Sequence, residues 1–473
     1  MRLVQYQITP QEKRILPWLA AVGFFMQALD NTILNTALPA IASDFHVSPL
    51  QMQSAVVSYM LTVAMLIPAS GWLADRFGTR NVFFLSILLF TLGSLFCATS
   101  TSLPMLVISR VIQGVGGALL VPVGRLAILR AFPHEEFLRA ISMVVMPGLI
   151  GPLLGPLIGG WLVEHASWEW VFLINLPIGI LGAIMTLRFM PNLREETKGF
   201  DWKGYLFFSL GVVCISVSIQ IMSEDLEKIS TAAYFFFAGV AGFLAYYLHH
   251  QKHEFVLFNK QLFTITSFRI GILGNLIARL GSGALPYLNP LFLQVALGYS
   301  PVSAGLTMIP IALGAMTTKP LATRIVLKFG YRRILSVNTL LLGLLVGSFY
   351  TITQETPYWL LLLHLGSLGV FNSLQFTAMN TLTLDGLERD AASSGNSLLS
   401  VVMQLSMSLG VAFSSTLFVL FFGSSGNLHQ LGQQITHHPN VLSAFHATYL
   451  TIGILSMMAT VIFRQLPKPA IKS

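Results

Sequence analysis

The segment Pro68-Ala-Ser-Gly71-Trp-Leu-Ala-Asp75-Arg76-Phe-Gly78-Thr-Arg80 returns in the second half of the chain as Pro320-Leu-Ala-Thr-Arg-Ile-Val-Leu-Lys-Phe-Gly-Tyr-Arg332. Proline, Phe-Gly and a following arginine match. Each copy ends the second of six apolar stretches, so the chain reads as a duplicated six-stretch block. Working outward, the stretches fall at roughly 15–37, 52–73, 81–99, 104–125, 139–162, 168–190, 202–222, 231–250, 269–292, 302–325, 332–352, 357–380, 396–420 and 446–465. About 20 apolar residues cross a bilayer as a helix. Only helices and closed barrels satisfy their backbone in lipid, and these runs are too long and too uniformly apolar for barrel strands. The expectation is an all-α polytopic membrane protein with fourteen transmembrane helices, arranged six, two and six.

Composition excludes a soluble domain: 54% of residues are hydrophobic and 10% charged, with mean hydropathy +0.72. Arg2, Lys13 and Arg14 precede the first stretch, and no small-residue cleavage site follows it, which predicts a retained helix. Arg76 and Arg80, Arg130 and Arg139, and Arg188, Arg194, Lys198 and Lys203 occupy alternate connections. So do Lys252, Lys260 and Arg269, then Arg324, Lys328, Arg332 and Arg333, then Arg389, and finally Arg464, Lys468 and Lys472. The opposite connections hold only Lys228. The positive-inside rule then places both termini in the cytoplasm. The same bias explains the net charge of +8 and removes it as a nucleic-acid signal. Cys97 and Cys214 lie in different stretches, so no disulfide framework is expected. Polar segments bound the two middle stretches. The chain divides into an N-terminal six-helix bundle (1–190), a two-helix insert with flanking linkers (191–265) and a C-terminal six-helix bundle (266–473).

An ionised group in mid-bilayer is costly, and therefore a functional candidate. Asp30, Arg110 and Arg279 qualify, with Lys319 near an inner end. At about 1.5 Å rise per residue, Asp30 and Arg110 both lie roughly 10 Å in from the outer side. They can meet across a cavity. A carboxylate beside an arginine stays ionised, and one that loses the arginine in dry surroundings takes up a proton. The pair is therefore the candidate proton-coupling site; a static buried ion pair is the alternative. Three cations against one acid leave the interior net positive. Arg279 is thus a candidate partner for a substrate carboxylate, or else it pairs with carbonyls freed by Gly281 and Gly283. Gln27, Asn31, Gln113, Asn289, Asn372 and Gln375 join Arg279 as candidate cavity residues, or as interhelical hydrogen-bond formers. His429, His437, His438 and His446 gather before the last stretch, but their spacing fits no usual metal site. There is no P-loop and no nucleophile elbow. No cofactor, no metal and no enzymatic activity is expected.

Four motifs carry a resemblance. Gly71-Trp-Leu-Ala-Asp75-Arg76-Phe-Gly78-Thr-Arg80 resembles the signature loop of the major facilitator superfamily, and Arg110-Val-Ile-Gln113-Gly114-Val-Gly116-Gly117-Ala118 its fourth-helix motif. Gly148-Leu-Ile-Gly151-Pro152-Leu-Leu-Gly155-Pro156-Leu-Ile-Gly159-Gly160 is similar to the fifth-helix motif of antiporter-type exporters. Leu29-Asp30-Asn31-Thr32-Ile-Leu-Asn35-Thr-Ala37-Leu38-Pro39 resembles the first-helix motif of the fourteen-helix drug:proton antiporters. The resemblance covers the whole chain. It implies the major facilitator fold and a proton-coupled antiporter of the bacterial inner membrane that exports drugs or small amphipathic compounds by alternating access. It implies a monomer whose partners are a small-molecule substrate, protons and the lipid bilayer. It implies that Asp75, with Gly71, Arg76, Gly78 and Arg80, forms a cytoplasmic gate, with Ser393, Ser394 and Asn396 as the expected partners of Asp75; Leu327 replaces the acid in the second copy. Gly148, Gly151, Pro152, Gly155, Pro156, Gly159 and Gly160 present a small, kinked face that either seals one side of the pathway or simply packs tightly. Export of a small organic anion or metal–carboxylate complex remains an alternative, as does a non-transporting membrane sensor or scaffold.

Overall fold

Thr9 starts the first helix by accepting the Glu12 N–H while Glu12 reaches back to the Thr9 N–H, a capping box with Pro10 at the first helical position. In the computed structural model, which describes residues 8–196, 199–224, 228–253, 256–387, 389–422 and 440–466, this helix α1 runs Pro10–Asp44. It is followed by α2 (Gln53–Phe77), α3 (Thr79–Ala98), α4 (Leu103–Ala131), α5 (His134–His165) and α6 (Trp170–Phe189, interrupted at Ile174). Next come α7 (Trp202–Glu224) and α8 (Ile229–Lys252). The later helices are α9 (Thr266–Ser282), α10 (Leu285–Leu291), α11 (Pro301–Phe329), α12 (Tyr331–Gly347), α13 (Tyr358–Leu384), α14 (Arg389–Phe422) and α15 (Asn440–Phe463).

The repeat is visible in the backbone. Ser48-Pro49 and Ser300-Pro301 open matching segments, each serine capping through its side chain. α2 and α11 both stop at Phe-Gly, with Gly78 at φ +91° and Gly330 at φ +79°, a conformation that costs other residues a Cβ clash. The next helix begins at once in both places.

Among the described residues, eleven helices are long and apolar enough to cross a membrane. The other three expected stretches fall on α1, α5 and the α9–α10 segment. α1 is made less apolar by Gln27, Asp30 and Asn31, and α9 stops at Ser282 before Gly283. All three exceptions thus fall on segments whose polar, proline or helix-loosening residues made them functional candidates, α5 carrying Pro147, Pro152 and Pro156.

The chain forms two compact units, Met1–Phe45 with Ser54–Phe200, and His46–Gln53 with Asp201–Ser473. In the first, α1 packs on α5 and α4, and α3 on α4 and α6. In the second, α9 packs on α14 and α15, α11 on α13, and α12 on α15. The α7–α8 hairpin belongs to the second unit and lies along α14. Asp201 fastens it: its Oδ1 lies 2.8 Å from His249 Nε2 and accepts the Gly204 N–H, while its Oδ2 accepts the Leu257 N–H at 3.0 Å.

Residues 191–193, just after α6, are laced onto the α2–α3 turn. The Thr79 hydroxyl donates to Pro191 O at 2.9 Å and accepts the Leu193 N–H at 3.1 Å, while the Thr79 N–H donates to Leu193 O. Phe200 packs against Trp72 with centroids 5.4 Å apart and the rings tilted by 38°.

Candidate functional site

In the first unit a polar cluster is buried among apolar helices. Arg110 and Gln113, three residues apart, share one face of α4. Asp30 on α1 accepts at both oxygens: Oδ2 from Arg110 Nη1 at 2.7 Å, Oδ1 from Gln113 Nε2 at 2.8 Å. Gln113 Oε1 accepts a second bond from Arg110 Nη1 at 2.6 Å, and Gln113 Nε2 also donates to Ser94 Oγ on α3. Arg110 Nε donates to Ala55 O on α2 at 3.3 Å, and the guanidinium lies over the Tyr59 ring, 4.2 Å from its centroid. The Cys97 thiol donates to Gln113 Oε1 at 3.6 Å. Asp30 is 1% exposed and Arg110 2%. Charges this deep survive only when paired and hydrogen-bonded, and here both Asp30 oxygens and Arg110 Nε and Nη1 have partners.

The opposite face of α1 meets the Gly/Pro helix. A Cβ at Gly151 would lie 2.8 Å from Ala28 Cβ, one at Gly159 2.6 Å from Ile33 O, and one at Gly155 would strike the Thr32 hydroxyl. Gly148 faces Phe24. Glycine lets the two backbones touch. Gly151 to Gly159 therefore brace the turn of α1 that holds Asp30, and Pro152 and Pro156 sit within the same helix.

At the α2–α3 turn, Asp75 is engaged by Arg130 Nη2 of α4, and Arg130 Nε lies 3.1 Å from Glu195 Oε1. Asp75, Arg76, Arg194, Glu195 and Glu196 line a cavity of about 470 Å³. Gly71 and Arg76 are exposed, Gly78 is buried against Asn192, and Arg80 is half-buried. Of the partners expected for Asp75, Ser394 Oγ accepts the Asn259 N–H at 3.2 Å, and the Ser393 side chain lies outside the described residues. Within its own unit Asp75 has Arg130, a residue read from the sequence only as a topological charge.

In the second unit Arg279 is 6% exposed. Its Nε donates to Asn275 Oδ1 at 2.9 Å, and its guanidinium lies 4.5 Å from the Phe376 ring centroid. Among the described residues no carboxylate forms an ion pair with it, and Nη2 is buried without a hydrogen-bond partner. Asn289 accepts from the Tyr449 hydroxyl at 2.9 Å. Gln375 bridges helices, its Oε1 accepting from Asn338 and its Nε2 donating to Thr339 Oγ1. Asn372 is half-buried on α13; on α1, Gln27 and Asn31 are half-buried too, and the buried Asn31 Oδ1 has no partner among the described residues. Lys319 is exposed. His446 lies 2.8 Å from Ile352 O, while His429, His437 and His438 lie outside the described residues. No cluster of three or more potential metal ligands occurs among the described residues.

Tyr59, Ser94, Cys97, Arg130 and Glu195 were not singled out from the sequence for these positions.

The family model described as Major Facilitator Superfamily matches residues 20–268 and 271–473. A Pectobacterium atrosepticum protein named "Putative multidrug resistance protein MdtD" is 46% identical over 464 residues, spanning 98% of this chain and 98% of its own. A protein of the same name from Salmonella paratyphi B is 47% identical, over 97% of this chain and 96% of its own. Solved structures share the fold. A bacterial homolog of the human lysosomal transporter Spinster, inward-facing and unoccupied, has TM-score 0.67 at 17% identity, over 98% of this chain and 100% of that one. The xylose transporter XylE from E. coli has TM-score 0.64 at 15% identity, over 98% and 99%.

Proposed function

The chain belongs to the major facilitator superfamily and is a multi-pass membrane transporter rather than an enzyme, and from this premise we propose that it is a proton-coupled antiporter that exports drugs or other small amphipathic compounds. The observation that carries the reading is the buried Asp30–Arg110–Gln113 cluster. Asp30 is the proton carrier. Held by Arg110 it is an anion. When the cycle pulls the guanidinium away, a carboxylate left in apolar surroundings takes up a proton, and it releases that proton when the pair re-forms. The drug-export part of the reading comes from the names of the relatives.

The full proposal is a monomer in the bacterial inner membrane, with fourteen helices and both termini in the cytoplasm. Six-helix halves (1–190 and 266–473) alternate access around a site that includes Gln27, Asn31, Gln113, Arg279, Asn289, Asn372 and Gln375. The 191–265 insert rides between them in sequence. Gly71, Asp75, Arg76, Gly78 and Arg80 form the cytoplasmic gate. Gly148, Gly151, Pro152, Gly155, Pro156, Gly159 and Gly160 form the stiff, close-packed seam that seals one side of the pathway.

A second reading is favoured by Arg279, whose buried Nη2 lacks a partner among the described residues. A cation in that position suits a small organic anion or a metal–carboxylate complex, which supplies the missing acceptor. One experiment separates the two. Proteoliposomes are given an inward-directed proton gradient and screened with lipophilic cations against mono- and dicarboxylates. Asp30→Asn is expected to abolish gradient-driven transport of either class; normal rates in that variant would refute proton coupling at Asp30. Loss of carboxylate transport alone in Arg279→Ala would select the second reading.

A further inference from the structure

We propose that Tyr59 is a positioning residue of the Asp30 site: its ring walls the Arg110 guanidinium and thereby sets how firmly Asp30 is held as an anion. The inference rests on the proton-coupling reading above. Tyr59 is fully buried. Its ring centroid lies 4.2 Å from the Arg110 guanidinium carbon. Four residues earlier on the same face of α2, Ala55 O accepts the Arg110 Nε–H. α2 thus covers the face of the guanidinium and one of its edges, while Asp30 and Gln113 hold another edge. Nothing in the first-helix or fourth-helix motifs points to α2 as a wall of this site.

The fit is built into α4. A Cβ at Gly117 would strike the Tyr59 hydroxyl, and a Cβ at Gly114 would come within 2.9 Å of Thr62 Cβ. Two glycines, one and two turns along α4 from Arg110, therefore admit the ring and bring α2 close. A cation over an aromatic face is held most strongly where both are desolvated. Without that wall the guanidinium can turn away from Asp30, and the carboxylate loses part of what keeps it ionised.

The other groups facing the pair are few. α4 supplies Arg110 and Gln113, α3 supplies Cys97 and Ser94, and α6 supplies Asn175, whose Nδ2 donates to Ser94 Oγ at 3.4 Å. α5 meets this part of α1 through glycines. Among the described residues at this level, the titratable groups are therefore Asp30, Arg110, Tyr59 and Cys97.

The test is independent of the transported compound. Purified full-length protein is titrated by infrared difference spectroscopy, following the protonated-carboxyl band that is absent from Asp30→Asn. Tyr59→Phe keeps the ring and is expected to titrate at the wild-type midpoint. Tyr59→Leu removes the ring and is expected to shift the midpoint to higher pH by up to about 1.5 units, the change that corresponds to a desolvated cation–π contact. If Tyr59→Leu does not yield folded protein, Tyr59→Met replaces it, similar in volume and lacking a π face. A midpoint in the ring-less variant equal to wild type would overturn the positioning role while leaving proton coupling intact. An equal shift in Tyr59→Phe would overturn it as well, because the hydroxyl would then be the acting group. A wild type with no Asp30-dependent band at any pH would refute the coupling reading, and this proposal with it.

Discussion

Removing Arg110 strands a carboxylate in the interior of the first unit, and removing Asp30 strands a guanidinium there. Breaking a buried pair from one side costs about 3–5 kcal/mol, whereas replacing both partners with apolar groups is often neutral. Arg110→Leu is therefore expected to lower the thermal unfolding midpoint in detergent strongly, and Asp30→Leu/Arg110→Leu to recover most of it while remaining inactive. A double variant as unstable as the single one would mean that the pair is not the unit of stability. These two charges were legible from the sequence because an ionisable residue within an apolar run demands a reason. Gln113 was legible only as a polar residue in a span. Tyr59 and Ser94 were not, since an aromatic or a serine in a membrane helix is ordinary, and only the packing of α2 and α3 on α4 brings Tyr59 to Arg110 and Ser94 to Gln113. Asp75 was legible as a gate candidate, but its partner Arg130 was not, because the positive-inside rule already accounted for that charge.

The Gly/Pro face of α5 belongs to the scale of the helix. Its glycines were read as a packing seam, and the face lies on α1 at residues 28 to 33, beside Asp30. A bulky side chain there must push α1 away. Overpacking typically costs about 1–3 kcal/mol, and the displaced helix carries Asp30 with it. Gly155→Leu is expected to reach the membrane at near-normal levels and to lose gradient-driven transport; wild-type transport would show that the contact with Thr32 does not matter. Helix boundaries were the least legible feature. α4 outruns its apolar stretch by six residues, because the bilayer limits how many residues must be apolar and not how far hydrogen bonding continues. The lacing of residues 191–193 onto Thr79 is likewise a tertiary fact: it depends on backbone carbonyls, which no side-chain pattern encodes.

For the whole molecule, the duplicated Phe-Gly turn foretold two structural repeats, and Gly78 and Gly330 adopt nearly the same backbone conformation. Chemistry has not stayed symmetric. With Ser48-Pro49 matched to Ser300-Pro301 and Gly78 to Gly330, Asp30 falls opposite Ser282 and Gln27 opposite Arg279. Among the described residues, one repeat holds an acid with its arginine, the other an arginine with no carboxylate paired to it. The proposed orientation is tested by labelling single cysteines in a background with Cys97 and Cys214 replaced. A cysteine at Glu196 is expected to react only after the inner membrane is permeabilised, and one at Lys228 in intact spheroplasts. Identical access for both would rule out the fourteen-helix topology.

α4 carries a cation near each end, Arg110 and Arg130, separated by twenty residues of helix, or about 30 Å. In the proposed cycle a proton on Asp30 removes the charge that balances the first of them. The transmembrane voltage then acts on an uncompensated guanidinium, at about 2.3 kcal/mol per elementary charge per 100 mV. α4 becomes a lever that an interior-negative cell pulls inward. The protein should therefore feel the membrane's electrical polarity even where its exchange of cargo for protons moves no net charge.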